Sequence, residues 1–218
     1  MRVGFFSEAG YEGKVPRNYD NMRTDVAWVC ALDATHHPIA KLRSLSDNLY
    51  DVGVMILPKN RKPLLSYPLL ENYKRVCKKV TIMQESYYNY WQDSEIIEQI
   101  WYFNFITQMD LIFCHNDVDL TYYNGLTNIR TELLPSVMIT DGVVPRTDWG
   151  DAVVIGGNFV WAYGGFDSYI IAQEFDTDIY APSMGRKIDR EDEMDINHLP
   201  YMTWVEWINN LPKYKYGV

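Results

Sequence analysis

Two side chains of this sequence have the chemistry of a proton acceptor and stand where an apolar run ends. His115 follows the run at 110–114 (DLIFC), and Glu85 follows the run at 79–83. An imidazole titrates near neutrality, so His115 suits removal of a proton from a hydroxyl. Glu85 would do the same work only with its carboxyl raised by burial. A second group of residues surrounds glycines. Gly156, Gly157 and Asn158 follow the apolar run at 152–155, and Ser183, Gly185 and Arg186 follow a shorter one at 178–181. Backbone N–H groups at a glycine turn that leads into a helix, joined by a guanidinium, can hold phosphate oxygens. Glu8 and Gly10 close the first apolar run, 2–7, in the loop that leaves it. None of these glycines has GxGxxG spacing and no GxxxxGK[ST] occurs, so dinucleotide and P-loop readings lose most of their weight.

Metal chemistry is poorly served. The triplets Asp117-Val118-Asp119 and Asp176-Thr177-Asp178 fall at an expected helix start and in an expected turn, where aspartates cap and bend the chain. His36-His37 and His198 have no ligand spacing. Cys30, Cys77 and Cys114 are widely spaced, with no CxxC pair, and read as buried or free thiols of a reducing compartment.

The elements that must position these residues alternate. Strands are expected at 2–7, 51–57, 79–83, 110–114 and 129–134. Helices are expected at about 21–34, 65–77, 94–109 and 118–126. Met22, Val26, Val29 and Cys30 form the apolar stripe of the first helix, Leu65, Leu69, Tyr73 and Val76 that of the second, and Ile96, Ile100, Phe103 and Ile106 that of the third. His36-His37-Pro38 reads as the first helix's stop. The long loop at 11–21 follows the first strand, a place where long ordered loops are often functional. Residues 135–150, with two Pro and two Gly, read as a linker. A strand, glycine loop, helix and strand then follow over 152–181. Strands and helices in alternation predict an α/β protein with a doubly wound parallel sheet, whose ligands sit at the carboxyl ends of the strands. The expected division is a Rossmann-like domain at 1–138, a linker at 139–151 and a partial Rossmann-like domain at 152–218.

Composition sets the outer limits. At 218 residues and 47% hydrophobic, the chain can bury a real core. A net charge of −9 with only short basic clusters argues against a nucleic-acid surface. No run approaches the ~18 apolar residues that span a bilayer, and a cytoplasmic location is the expectation.

In this organisation the chain resembles a GT-B glycosyltransferase. The glycine loop after strand one (Glu8-Ala9-Gly10) and the phrase DLIFCHNDVDLTYYNGLTNIRTELLPS look like the acceptor domain. VVIGGNFVWAYGGFDSYIIAQEF looks like the opening of the donor domain, and HLPYMTWVEWINNLPKYKYGV like its later tryptophan-bearing helix and strand. The resemblance implies transfer of a sugar from a nucleotide-sugar to a hydroxyl acceptor, with no cofactor beyond that substrate and no essential metal. His115 or Glu85 would activate the acceptor, Glu8 and Gly10 would line its loop, and Gly156, Gly157, Asn158, Ser183, Gly185 and Arg186 would meet the donor diphosphate. The chain departs from the family's pattern in two respects. The donor part is short, and the places where the family commonly has an Arg and a Lys look like Asn158 and the 162–164 neighbourhood, which are uncharged. A binding or assembly protein related to these enzymes, without catalysis, is the alternative. A flavodoxin-like nucleotide binder is a weaker one. Trp204, Trp207, Ile208 and Leu211 would leave an apolar helix face bare in a short second domain, so association with a second copy is expected.

Overall fold

The computed structural model describes residues 1–8, 11–20, 22, 24–58, 62–84, 94–148, 150–156, 165–175, 177–180 and 199–217. They form two compact units, Met1–Ile139 and Thr140–Val218.

The first unit is built on one parallel sheet. Its strands are β1 (Val3–Ser7), β2 (Thr35–Pro38), β3 (Tyr50–Met55), β4 (Cys77–Gln84), β5 (Leu111–Cys114) and β6 (Thr131–Leu133). They lie in the order β2-β1-β3-β4-β5-β6, every neighbouring pair parallel. Helices α1 (Thr24–Ala31), α2 (Lys62–Leu65), α3 (Leu69–Val76), α4 (Ile96–Ile106) and α5 (Asp117–Leu126) lie on the crossovers. The chain goes from β1 to one side and then returns past it to β3, so the order reverses between these two strands. In open α/β sheets that reversal is where ligands meet the strand ends.

Alternation along the strands divides the core between the two faces. Phe5, Val54 and Met83 pack with Val29 of α1 on one face. Phe6, Met55, Ile82 and Ile112 pack with Tyr73, Tyr102, Phe105 and Tyr123 on the other. Both faces are covered, as an all-parallel sheet requires.

Three details differ from the sequence reading. Residues 35–38 are a strand paired in parallel with β1, and two buried imidazoles, not aliphatic residues, fill its inward positions. The expected helix at 65–77 is two helices, since Pro68 cannot continue α2 and instead precedes the first turn of α3. Of the expected apolar stripe of α4 only Ile106 faces the core. Ile96, Ile100 and Phe103 are exposed, while Tyr102, Phe105 and Ile106 are buried. The stripe of α1, Met22, Val26, Val29 and Cys30, is buried as expected.

The second unit has a three-stranded parallel sheet in the order β8-β7-β9. The strands are β7 (Ala152–Gly156), β8 (Asp178–Tyr180) and β9 (Tyr214–Gly217), with helices α6 (Gly165–Phe175) and α7 (Trp204–Asn210). Helix α7 starts on a capping box in which the Thr203 side chain accepts from the Glu206 N–H and the Glu206 carboxylate accepts from the Thr203 N–H. Its apolar side is covered only in part. Trp204, Trp207, Ile208 and Leu211 are all half-buried, and Trp207 packs against the buried pair Val154 and Tyr214.

Candidate functional site

His115 leaves the carboxyl end of β5 and is half-buried. Register places Cys114 beside Leu133, and the Leu134 N–H donates to the Cys114 carbonyl at 2.7 Å. That pairing brings the Leu134 carbonyl 2.7 Å from His115 Nδ1. A carbonyl oxygen only accepts, so Nδ1 carries a hydrogen. Nε2 is buried and has no hydrogen-bond partner among the described residues. A buried ring nitrogen left without a partner calls for an account.

The helix behind the histidine is firmly started. Asn116 caps α5 by accepting from the Asp119 N–H at 2.8 Å, and its amide donates to Asp119 Oδ2 at 2.7 Å. Asp119 is buried. Asp117 and Asp119 thus lie in the first turn of a helix, where carboxylates complement the helix dipole. No group of three or more potential metal ligands occurs among the described residues. On the neighbouring strand, Gln84 lies in register with Cys114 and accepts from the Tyr102 hydroxyl at 2.8 Å, which in turn lies 2.8 Å from the Tyr123 hydroxyl. Burial pushes the Tyr123 hydroxyl well above its ordinary pKa, although its bond to Tyr102 opposes this. The buried Cys114 thiol is likewise pushed up to about 12, and the Cys77 thiol to about 12, so neither is a nucleophile at neutral pH.

Glu8 is exposed just beyond β1, and its carbonyl lies 3.2 Å from Ser7 Oγ. Between β1 and β5 stand β3 and β4. Three strand spacings of about 4.8 Å separate the strand ends by roughly 14 Å. Glu8 and His115 therefore share one edge of the sheet without meeting. Gly156 ends β7, exposed, in register with Tyr180. A Cβ there would lie 3.5 Å from the Trp207 ring. Glu85, Gly10, Gly157, Asn158, Ser183, Gly185 and Arg186 lie outside the described residues.

One polar cluster was not anticipated from the sequence. Ser7 Oγ lies 2.8 Å from His36 Nε2 and 3.2 Å from Asp25 Oδ2, and His36 Nδ1 lies 2.7 Å from the Tyr11 carbonyl. These residues come from β1, α1, β2 and the loop between the first two elements. No spacing in the chain announces their meeting, and reading 36–38 as a helix stop removed His36 from the sheet.

The chain matches no protein-family model, no curated protein and no solved structure with which it was compared. The fold itself is α/β with a six-stranded parallel sheet. No helix among the described residues is long and apolar enough to cross a membrane.

Proposed function

We propose that this chain is a glycosyltransferase of the GT-B type, or a relative of one, moving a sugar from a nucleotide-sugar to a hydroxyl acceptor. The observation that carries the reading is the histidine at the end of β5. Its Nδ1–H is held by the Leu134 carbonyl, which fixes the ring and leaves Nε2 as the nitrogen without a partner among the described residues, the one to which the reading gives the acceptor proton. In the reaction the acceptor O–H gives its proton to Nε2 as its oxygen bonds to the anomeric carbon. The bond from that carbon to the diphosphate oxygen breaks, and the nucleoside diphosphate departs with the electron pair. A positioned imidazole contributes about 10²–10⁴-fold in such a step. The second unit supports the reading with a further parallel β-α-β arrangement, in which β7 ends at Gly156 and α6 opens at Gly165. Gly157, Asn158, Ser183, Gly185 and Arg186 are the residues to which the reading gives the diphosphate.

Calorimetry of the whole chain with UDP, GDP, ADP and their sugar conjugates tests this. Micromolar binding of one nucleotide, with release of that diphosphate when an acceptor is supplied, supports transfer. Binding without turnover favours the non-catalytic relative. No binding across the panel overturns the proposal.

A further inference from the structure

We propose that Ser7, Asp25 and His36 form a proton-responsive latch, which holds the segment at 11–19 against the carboxyl end of β1 and releases it on acidification. This rests on the first unit alone and does not depend on the transfer reaction.

His36 is the principal fastening of that segment. Its Nδ1 donates to the Tyr11 carbonyl at 2.7 Å, and its backbone exchanges two hydrogen bonds with Gly13, at 2.8 and 2.9 Å. The Tyr11 ring lies over the imidazole at 4.0 Å between centroids and continues to Tyr19 at 5.6 Å. The segment is also held by Glu12, which lies 3.6 Å from His37 Nδ1 and 3.5 Å from Lys41 Nζ, by Tyr11 and Val15 packed against the core, and by the ion pair of Lys14 with Asp33 at 2.9 Å, which is exposed and contributes little. Gly13 adopts φ 98°, a conformation glycine tolerates, so the bridge to His36 closes without strain.

A serine 2.8 Å from an imidazole also suggests a nucleophile. Burial decides against it, because Ser7 is 4% exposed, Asp25 4% and His36 0%. All three are enclosed as whole residues, whereas His115 is half-buried and only its Nε2 is covered. What the arrangement does permit is a change of proton count. With His36 neutral, Nδ1–H serves Tyr11 and the Ser7 hydroxyl donates to Nε2. A second proton on Nε2 reverses that bond and turns the Ser7 hydrogen toward Asp25 Oδ2 or the Glu8 carbonyl, each 3.2 Å away.

Acidification weakens the latch for an electrostatic reason. Burial holds His36 below the ordinary imidazole value of 6.5 and outweighs the raising pull of the Tyr11 carbonyl, of Asp25 from α1 and of Glu12 from the segment itself, while His37 adds to the lowering. When the segment lifts away, His36 meets water and regains its ordinary value. The open form therefore binds the proton better. The latch is at full strength above about 6.5 and loses strength as pH falls through the interval below it.

Hydrogen exchange of the whole chain, followed by mass spectrometry on peptides covering 11–20 and corrected for intrinsic exchange, tests this between pH 7.5 and 5. Protection is expected to fall by up to about tenfold per pH unit below the ordinary imidazole value. His36→Gln, which keeps a donor and an acceptor but takes no proton, should make the fall markedly shallower, while His37→Gln, which removes the other buried imidazole facing Glu12 of the segment, should leave most of it in place. Asp25→Asn removes a raising charge and should extend the fall to lower pH. Protection independent of pH, or rising on acidification, overturns the proposal. Should His36→Gln not fold, the ring-nitrogen shifts of His36 in the unaltered chain decide the matter. An Nδ1–H tautomer with a midpoint below the ordinary value supports the latch, and an Nε2–H tautomer or a midpoint at or above that value overturns it.

Discussion

Tyr73 lies directly across the backbone of Gly53, so close that a Cβ at Gly53 would stand 2.5 Å from the ring's Cε2 and 2.6 Å from Cys77 Sγ. The tyrosine is fully buried, and its hydroxyl donates to the Thr81 carbonyl at 2.7 Å, tying α3 to β4. Neither neighbour can withdraw, since one is fixed by that bond and the other lies in the core. Gly53→Ala should cost about 1–3 kcal/mol through overpacking. Urea unfolding would show a lower midpoint with unchanged slope. A midpoint within error of the parent would mean that Tyr73 has room to move.

Asn116 should prove more sensitive to charge than to size. Its side-chain oxygen caps α5 and its amide donates to the buried carboxylate of Asp119. Asn116→Ala removes the cap and should cost about 0.5–2 kcal/mol. Asn116→Asp keeps a capping oxygen but sets a second carboxylate against Asp119. At neutral pH it should be the less stable of the two variants, and the order should reverse in acid. An Asp variant as stable as the parent at neutral pH would show that the amide donor contributes nothing.

Most of the sheet was legible because its inner strands are short apolar runs between turn residues. The cores of β1, β3, β4 and β5 fall where alternation and β-branched residues put them. Strand β2 was not legible. Its four residues are Thr, His, His and Pro, and beyond the parallel ladder to β1 they are held by hydrogen bonds with Ser7, Tyr11 and Tyr50 that sequence spacing does not encode. The helix face of α4 failed for another reason. Its residues IIEQIWYFNFI are apolar all round, so periodicity could not choose between the Ile96 side and the Tyr102 side. The choice is made by Gln84 and Tyr123, which hydrogen-bond the Tyr102 hydroxyl inside. His115 was legible as a strand-end histidine, but its tautomer depends on Leu134, a contact made only when β6 pairs with β5.

Asp51 should give the first unit a measurable acid sensitivity. Its carboxylate accepts from Lys78 Nζ at 2.8 Å and from the Arg2 N–H at 2.8 Å. The Lys78 bond first, and the Arg2 backbone second, lower its pKa from 3.8 to about 2. A carboxyl with a depressed folded-state value stabilises the fold above its unfolded value and ceases to do so as pH falls through the folded one. The contribution should therefore be present above about pH 4 and fade toward pH 2. Comparing Asp51→Asn with the parent by thermal melts across that interval checks it. The two should differ at pH 5 and converge near pH 2, and a constant difference would put the effect on shape and not on charge.

Gly150 probes the second unit. Its N–H donates to the Pro212 carbonyl at 2.8 Å, and a Cβ on it would meet the Lys213 carbonyl oxygen at 1.9 Å. Backbone cannot yield as a side-chain tip can, so Gly150→Ala must displace the chain just before β9. Loss of protection in the β7 and β9 peptides by hydrogen exchange is expected, with the first unit's sheet unchanged. Equal protection in both units would mean that the 150–152 segment shifts freely.

His115→Gln is the substitution that separates a base from a fastening. A glutamine amide can donate to the Leu134 carbonyl, as the imidazole does, but it cannot take a proton at neutral pH. If the histidine only ties β5 to β6, His115→Gln should transfer sugar at close to the parent rate, while His115→Ala loses both the bond and some stability. If Nε2 removes the acceptor proton, both variants should lose about 10²–10⁴-fold in kcat. Donor affinity should stay unchanged in each, because the proposed reading gives the diphosphate to residues of the second unit. Nucleotide calorimetry beside the rate measurement distinguishes the two outcomes. A glutamine variant with full activity would remove His115 from the chemistry and leave Glu85 as the remaining candidate base.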